Sequence, residues 1–63
     1  MKLTKRQAQV MEALCEHGNN KLMGKALGID GRAVEKLLSR IRARTGISSR
    51  VLLAVQWERS KHQ

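Results

Sequence analysis

Residues 20–41, NKLMGKALGIDGRAVEKLLSRI, decide the fold of this chain. They read as two helices broken by the turn Leu27-Gly28-Ile29-Asp30. Gly28 can adopt the left-handed backbone conformation that a tight turn needs, and Asp30 can cap the helix that follows. Ile29 is expected to plug the core from the turn. The second of these helices carries cations at four-residue spacing, Arg32, Lys36, Arg40 and Arg44. Side chains four apart are neighbours on a helix surface. Two helices at a tight turn, the second one cationic, form the pattern of a helix-turn-helix built to meet phosphate and base edges.

The elements on either side fit that centre. The cationic helix is expected over about 31–45, with Val34, Leu37, Leu38 and Ile41 on one compact apolar face. Arg32, Lys36, Ser39 and Ala43 fall opposite, Arg40 lies at the edge, and Arg42 and Arg44 flank the apolar stripe. Gly46 stops the helix and Ile47 returns to the core. The preceding short helix is expected over 21–27, capped by Asn20, with Leu22, Met23, Ala26 and Leu27 inward. Gly24 costs about 1 kcal/mol of helix propensity relative to Ala, which points to close approach by a neighbouring helix.

A first helix is expected over 5–17. Thr4 and Gln7 suit a capping box, Leu3 half of a hydrophobic staple, and Gly18 a left-handed stop. Its apolar stripe is Val10, Met11, Leu14 and Cys15. A fourth helix, capped by Ser48 or Ser49, is expected over 49–59, with residues 60–63 fraying. Its Val51, Leu52, Leu53, Ala54, Val55 and Trp57 cover more circumference than one core face requires, which predicts a second buried surface. The fold class is all-α, a compact four-helix domain over residues 1–63 with a central helix-turn-helix.

Composition narrows the function. Sixty-three residues make one domain that buries only about 60% of its unfolded surface. The single cysteine excludes an internal disulfide, and the Cys and His content is too low for a closed zinc site, so no metal or cofactor is expected. Thirteen Lys and Arg against five Asp and Glu give a net charge of +8, which selects a polyanionic partner. A membrane surface is the weaker choice, because the cationic helix lacks the Trp or Phe that lodge at a lipid boundary.

No stretch approaches the roughly 20 apolar residues of a membrane span, and residues 1–9 contain no apolar signal region. With a free thiol at Cys15, the expected compartment is the cytoplasm. No catalytic constellation is visible either. Cys15 and His17 point about 200° apart on their helix, and neither paired carboxylates nor a glycine-rich phosphate loop is present. An enzyme is not expected.

In order and spacing, the residues resemble the LuxR/GerE-type helix-turn-helix family. The likeness begins with Leu3, Thr4, Arg6 and Gln7 against that family's Leu-Thr-x-Arg-Glu. It continues through Asn20 and Lys21, the turn at Leu27-Gly28-Ile29-Asp30, Val34, the pair Gly46 and Ile47, and the pair Ser49 and Arg50. It runs from Leu3 to about Trp57. The resemblance implies a third helix in the major groove of DNA and a fourth that pairs with a second copy. It implies base-reading positions at Glu35, Lys36 and Ser39, with Lys21, Arg32 and Arg40 nearer the phosphates. The chain also departs from the family, with Ala33-Val34-Glu35 in place of Thr-Val-Lys, Leu37 in place of a frequent His, and Gly18 one residue late.

Read on their own chemistry, Arg32, Lys36, Arg40 and Arg44 suit phosphate, and a Lys or Arg there can also meet guanine. Glu35 has three readings. It can accept from a cytosine amino group, repel phosphate at wrong sites, or pair within its helix with Arg32 or Ser39. Leu52, Val55, Gln56 and Trp57 are the candidates for a dimer interface. The expected function is a sequence-specific, homodimeric, DNA-binding transcriptional regulator acting on a pseudo-palindromic site in double-stranded DNA. The alternative is an interaction module that pairs with a related regulator or with RNA polymerase. Met1 stands two residues before the first motif residue, so the expectation is a complete regulator and not an excised output domain.

Overall fold

The structure, a computed structural model, describes residues 2–62. Its elements are α1 (Lys5–His17), α2 (Asn20–Leu27), α3 (Gly31–Thr45) and α4 (Arg50–Lys61). Each begins at a polar side chain that satisfies a free backbone amide of the first turn. At α1 the capping box forms in full, with the Thr4 hydroxyl accepting from the Gln7 amide at 3.1 Å and the Gln7 side chain accepting from the Thr4 amide at 3.0 Å. Asp30 caps α3 by accepting from Ala33 at 2.8 Å, and Ser49, not Ser48, caps α4 by accepting from Leu52 at 3.2 Å.

The cap of α2 corrects the sequence reading. Asn19 takes that place, accepting from the Leu22 amide at 2.9 Å, so the helix starts one residue early at Asn20. The exchange leaves the Asn20 side chain available for tertiary contacts. At its other end α2 stops at Gly28, whose φ is 74°. Gly24 is buried there, and a Cβ on it would lie 2.5 Å from the carbonyl oxygen of Ile29. What presses on Gly24 is the backbone of the turn itself, not a neighbouring helix. The Gly24 carbonyl in turn accepts from the Ile29 amide at 2.9 Å, which folds the turn back onto α2.

The core draws on every helix: Val10, Met11 and Leu14 from α1, Met23 from α2, Val34, Leu38 and Ile41 from α3, and Leu53 from α4. Each full burial of such a side chain is worth about 1.5–3 kcal/mol, so a core this small has little to spare. The inward face of α2 is Met23, Gly24 and part of Leu27. Leu22, expected inside, is 42% exposed, and Ala26 is also on the surface. Two turns of helix cannot bury four apolar positions against one groove.

α4 packs chiefly against α1. Of its apolar residues only Leu53 is fully buried, with Ala54 and Trp57 packed at the edge of the core. Val51, Leu52 and Val55 are exposed at 72%, 54% and 39%. The helix runs two residues further than expected because Lys61 pairs with Glu12 of α1 at 2.9 Å and lies 3.8 Å from Glu58. Ser60 and Lys61 are therefore helical, not frayed, whereas Gln63 lies outside the described residues. The Cα radius of gyration, 10.6 Å, matches the value of about 11 Å for a fully compact chain of this length.

Candidate nucleic-acid interface

The core stripe of α3 fixes what the rest of that helix presents. With Val34, Leu38 and Ile41 buried, the 100° advance per residue turns Arg32, Lys36, Ser39 and Arg40 outward, and all four are exposed. None of these four side chains has a hydrogen-bond or ion-pair partner among the described residues. Lys21, exposed in the first turn of α2, likewise has none. Arg44 is exposed, and its Nε donates to the Lys2 carbonyl at 3.0 Å, tying the chain start to the end of α3. The helix thus offers uncompensated positive charge on one rigid face.

Glu35 does not join that face. Its carboxylate accepts from Arg42 Nη1 at 2.7 Å and from Asn20 Nδ2 at 3.0 Å, and Arg50 Nη1 stands 3.9 Å away. Asn20 completes the circuit by accepting from Arg50 Nη1 at 2.7 Å, while Arg50 Nη2 donates to the Gly18 carbonyl at 3.1 Å. Four side chains from α2, α3 and α4 thereby close on one another where those helices meet. The Arg42 hydrogen bond, then that of Asn20, holds the Glu35 carboxyl below the ordinary carboxylate range. Burial of the side chain, which is 46% exposed, opposes this without reversing it. The Nη1 of Arg42 makes this pairing, while its Nε is buried without a partner among the described residues.

A second polar group lies on the seam between α1 and α4. Trp57 Nε1 donates to Glu12 Oε1 at 2.9 Å, beside the Lys61 pair. Hydrogen bonds from Lys61 and then Trp57 lower the Glu12 carboxyl. Trp57 is therefore turned toward α1, while Leu52, Val55 and Gln56 stand on the outer face of α4. Cys15 is half-buried on the same seam, its Sγ 3.9 Å from the Ala54 carbonyl. Burial, then nearby Glu58 and Glu12, pushes its thiol up and away from the reactive thiolate.

Sequence reasoning placed Arg32, Lys36, Ser39 and Ala43 opposite the apolar stripe with Arg40 at its edge, and all five are exposed in the structure. It missed Arg42 and Asn20 as partners of Glu35, having considered only Arg32 and Ser39. A signal did exist: seven residues are nearly two whole helical turns, which leaves Glu35 and Arg42 about 20° apart on the wheel. For Arg50, whose partners are 30 and 32 positions away, local spacing carries no signal. Among the described residues no group of three His, Cys, Asp or Glu can hold a metal, and no helix is long and apolar enough to cross a membrane.

The sequence pattern of GerE, the luxR family of bacterial regulatory proteins, matches residues 1–56. No curated protein and no solved structure matches the chain.

Proposed function

Given that the chain belongs to the luxR family of bacterial regulatory proteins, DNA-binding regulators of transcription, we propose that it is a sequence-specific regulator that lays α3 in the major groove. It acts as a homodimer on a pseudo-palindromic site whose half-sites lie about one helical turn apart. The observation that carries this reading is the contrast within α3. Arg32, Lys36 and Arg40 have no partner among the described residues, whereas Arg42 on the flank is paired to Glu35.

In this reading Lys36 and Ser39 meet base edges, and Arg32, Arg40, Arg44 and Lys21 hold phosphates. Glu35 acts as a positioning residue, holding α2 and the start of α4 against α3 instead of reaching a base. The outer face of α4, with Leu52, Val55 and Gln56, is the dimer surface, supported from beneath by Trp57. The protein needs no cofactor and works in the cytoplasm. Its role in this reading is regulatory and not enzymatic, in keeping with the family's DNA-binding regulatory domain.

Selection of binding sites from random duplex DNA tests the proposal. An inverted repeat should be enriched, with affinity falling steeply as salt rises. Weak, equal binding to every duplex would overturn it. Sedimentation in the presence of the selected site tests the dimer, which a one-to-one complex on a full inverted repeat would defeat.

A second reading has its own observation. The exposure of Val51 and Leu52 also suits an interaction module that pairs through α4 with a related regulator or with RNA polymerase. Regulatory activity that survives Lys36→Ala and Arg40→Ala but not Leu52→Ser would favour it.

A further inference from the structure

A groove of about 260 Å³ runs between the start of α1 and the outward side of α3, lined by Arg6, Ile29, Ala33, Lys36, Leu37 and Arg40. Its floor is apolar: Ile29 from the turn, with Ala33 and Leu37 half-exposed on α3. Its rim is cationic, and all three of its charged residues, Arg6, Lys36 and Arg40, are exposed. Among the described residues Arg6 Nη1 donates to the neutral Gln9 side chain at 3.2 Å, the other two have no partner, and no carboxylate pairs with any of the three. Ala33 stands three and four residues before Lys36 and Leu37, and Arg40 four and three residues after them, which makes the groove continuous along α3.

We infer that this α1–α3 groove seats the sugar–phosphate backbone of one DNA strand, with Arg6 as a phosphate contact supplied from outside the helix-turn-helix. The inference rests on the DNA-binding reading above and extends its footprint to a third helix. An apolar floor under a cationic rim is complementary to a polymer whose deoxyribose faces are apolar and whose linkages are anionic. At this volume the groove falls below the about 300–1,000 Å³ of clefts that enclose a free small molecule. It fits the edge of a polymer lying along it. Arg40 serves the same strand, and Lys36, on the rim, remains able to reach a base edge.

Arg6→Gln tests the assignment, because glutamine keeps the helix propensity and removes the charge. On the duplex that the unaltered protein selects and on a scrambled duplex, binding should weaken by the same factor, about 5-fold near physiological salt. The slope of log affinity against log salt should fall by about 1, with base preference unchanged. Circular dichroism and the thermal midpoint should match those of the unaltered protein. A scan of neutral methylphosphonate linkages should find one or two positions that weaken the unaltered protein but not Arg6→Gln. An unchanged salt slope, or a scan in which the two proteins respond alike, overturns the groove while leaving sequence selection intact. If instead the protein binds duplexes with the Arg6 dependence but selects no sequence, the groove stands and the regulator reading falls. Failure to bind any duplex removes both.

Discussion

The two sides of α3 that are not core use the same kind of residue in opposite ways. On the outward side Arg32, Lys36 and Arg40 stand exposed with no partner among the described residues; on the flank toward α2 and α4, Arg42 is paired to Glu35 at 2.7 Å. A helix advancing 100° per residue separates these roles by rotation alone. The difference shows that net charge does not measure what a basic helix offers to DNA. A cation folded into the protein's own polar network contributes to holding the helices, while one kept clear of carboxylates contributes to the external field.

The strongest way to break this division is to destroy the side that orients it. Leu38→Ala removes a fully buried side chain from the core to which all four helices contribute and should cost about 2–5 kcal/mol, comparable with the whole stability of so small a domain. Loss of helical circular dichroism near ambient temperature is the expected result, and a cooperative melt unchanged from the parent would contradict it. Gly24→Ala should cost less, about 1–3 kcal/mol, by forcing apart α2 and the turn that aims α3. Thermal unfolding reads the loss, and an equal or higher midpoint would mean that the turn relaxes freely.

Lys36→Ala sharpens the comparison from the outward side. It should leave the melting curve in place, weaken the selected site by about 1–3 kcal/mol and relax preference at one base pair. A uniform loss on all sequences would move Lys36 to the phosphates. Glu35→Ala probes the flank, with an expected cost of about 1 kcal/mol or less because the network is half-exposed. Urea denaturation at low salt is the measurement, and a loss as large as that of Leu38→Ala would make the network part of the core.

The smallest effect is a pH dependence. The folded-state pKa of Glu35 is depressed, so its contribution is fully present above the unfolded carboxylate pKa of about 4.3 and is lost as pH falls through the lower folded value. Glu12 has the same sign. The difference in stability between the parent and Glu35→Ala should therefore shrink on acidification below about pH 4.3. If that difference grew instead, Glu35 would be stabilising the fold in its protonated form.

Much of this was readable from local chemistry. The capping box at Thr4 and Gln7, the cap at Asp30 and the left-handed glycines at 18, 28 and 46 are all short-range events, and each occurs where the residue types ask for it. Legibility failed where two neighbours could each do one task. Asn19 and Asn20 are equally able to cap α2, and what decides between them is the demand of Glu35 and Arg50 for an amide at position 20. The length of α4 was hidden for a similar reason, since the residue that secures its end is Glu12, nearly fifty positions away along the chain. The outward face of α3 was legible because periodicity alone determines it. Where Glu35 points was not, because its partners come from three different helices.

The indole of Trp57 is the only strong ultraviolet emitter in the chain, and the structure pins its nitrogen to Glu12 across the α1–α4 seam. The molecule thus carries its own label for that seam. The colour and anisotropy of its emission report whether α4 is docked, without any added dye. Titrating DNA into the protein while watching this signal would reveal in real time whether engagement of α3 is felt at the opposite helix.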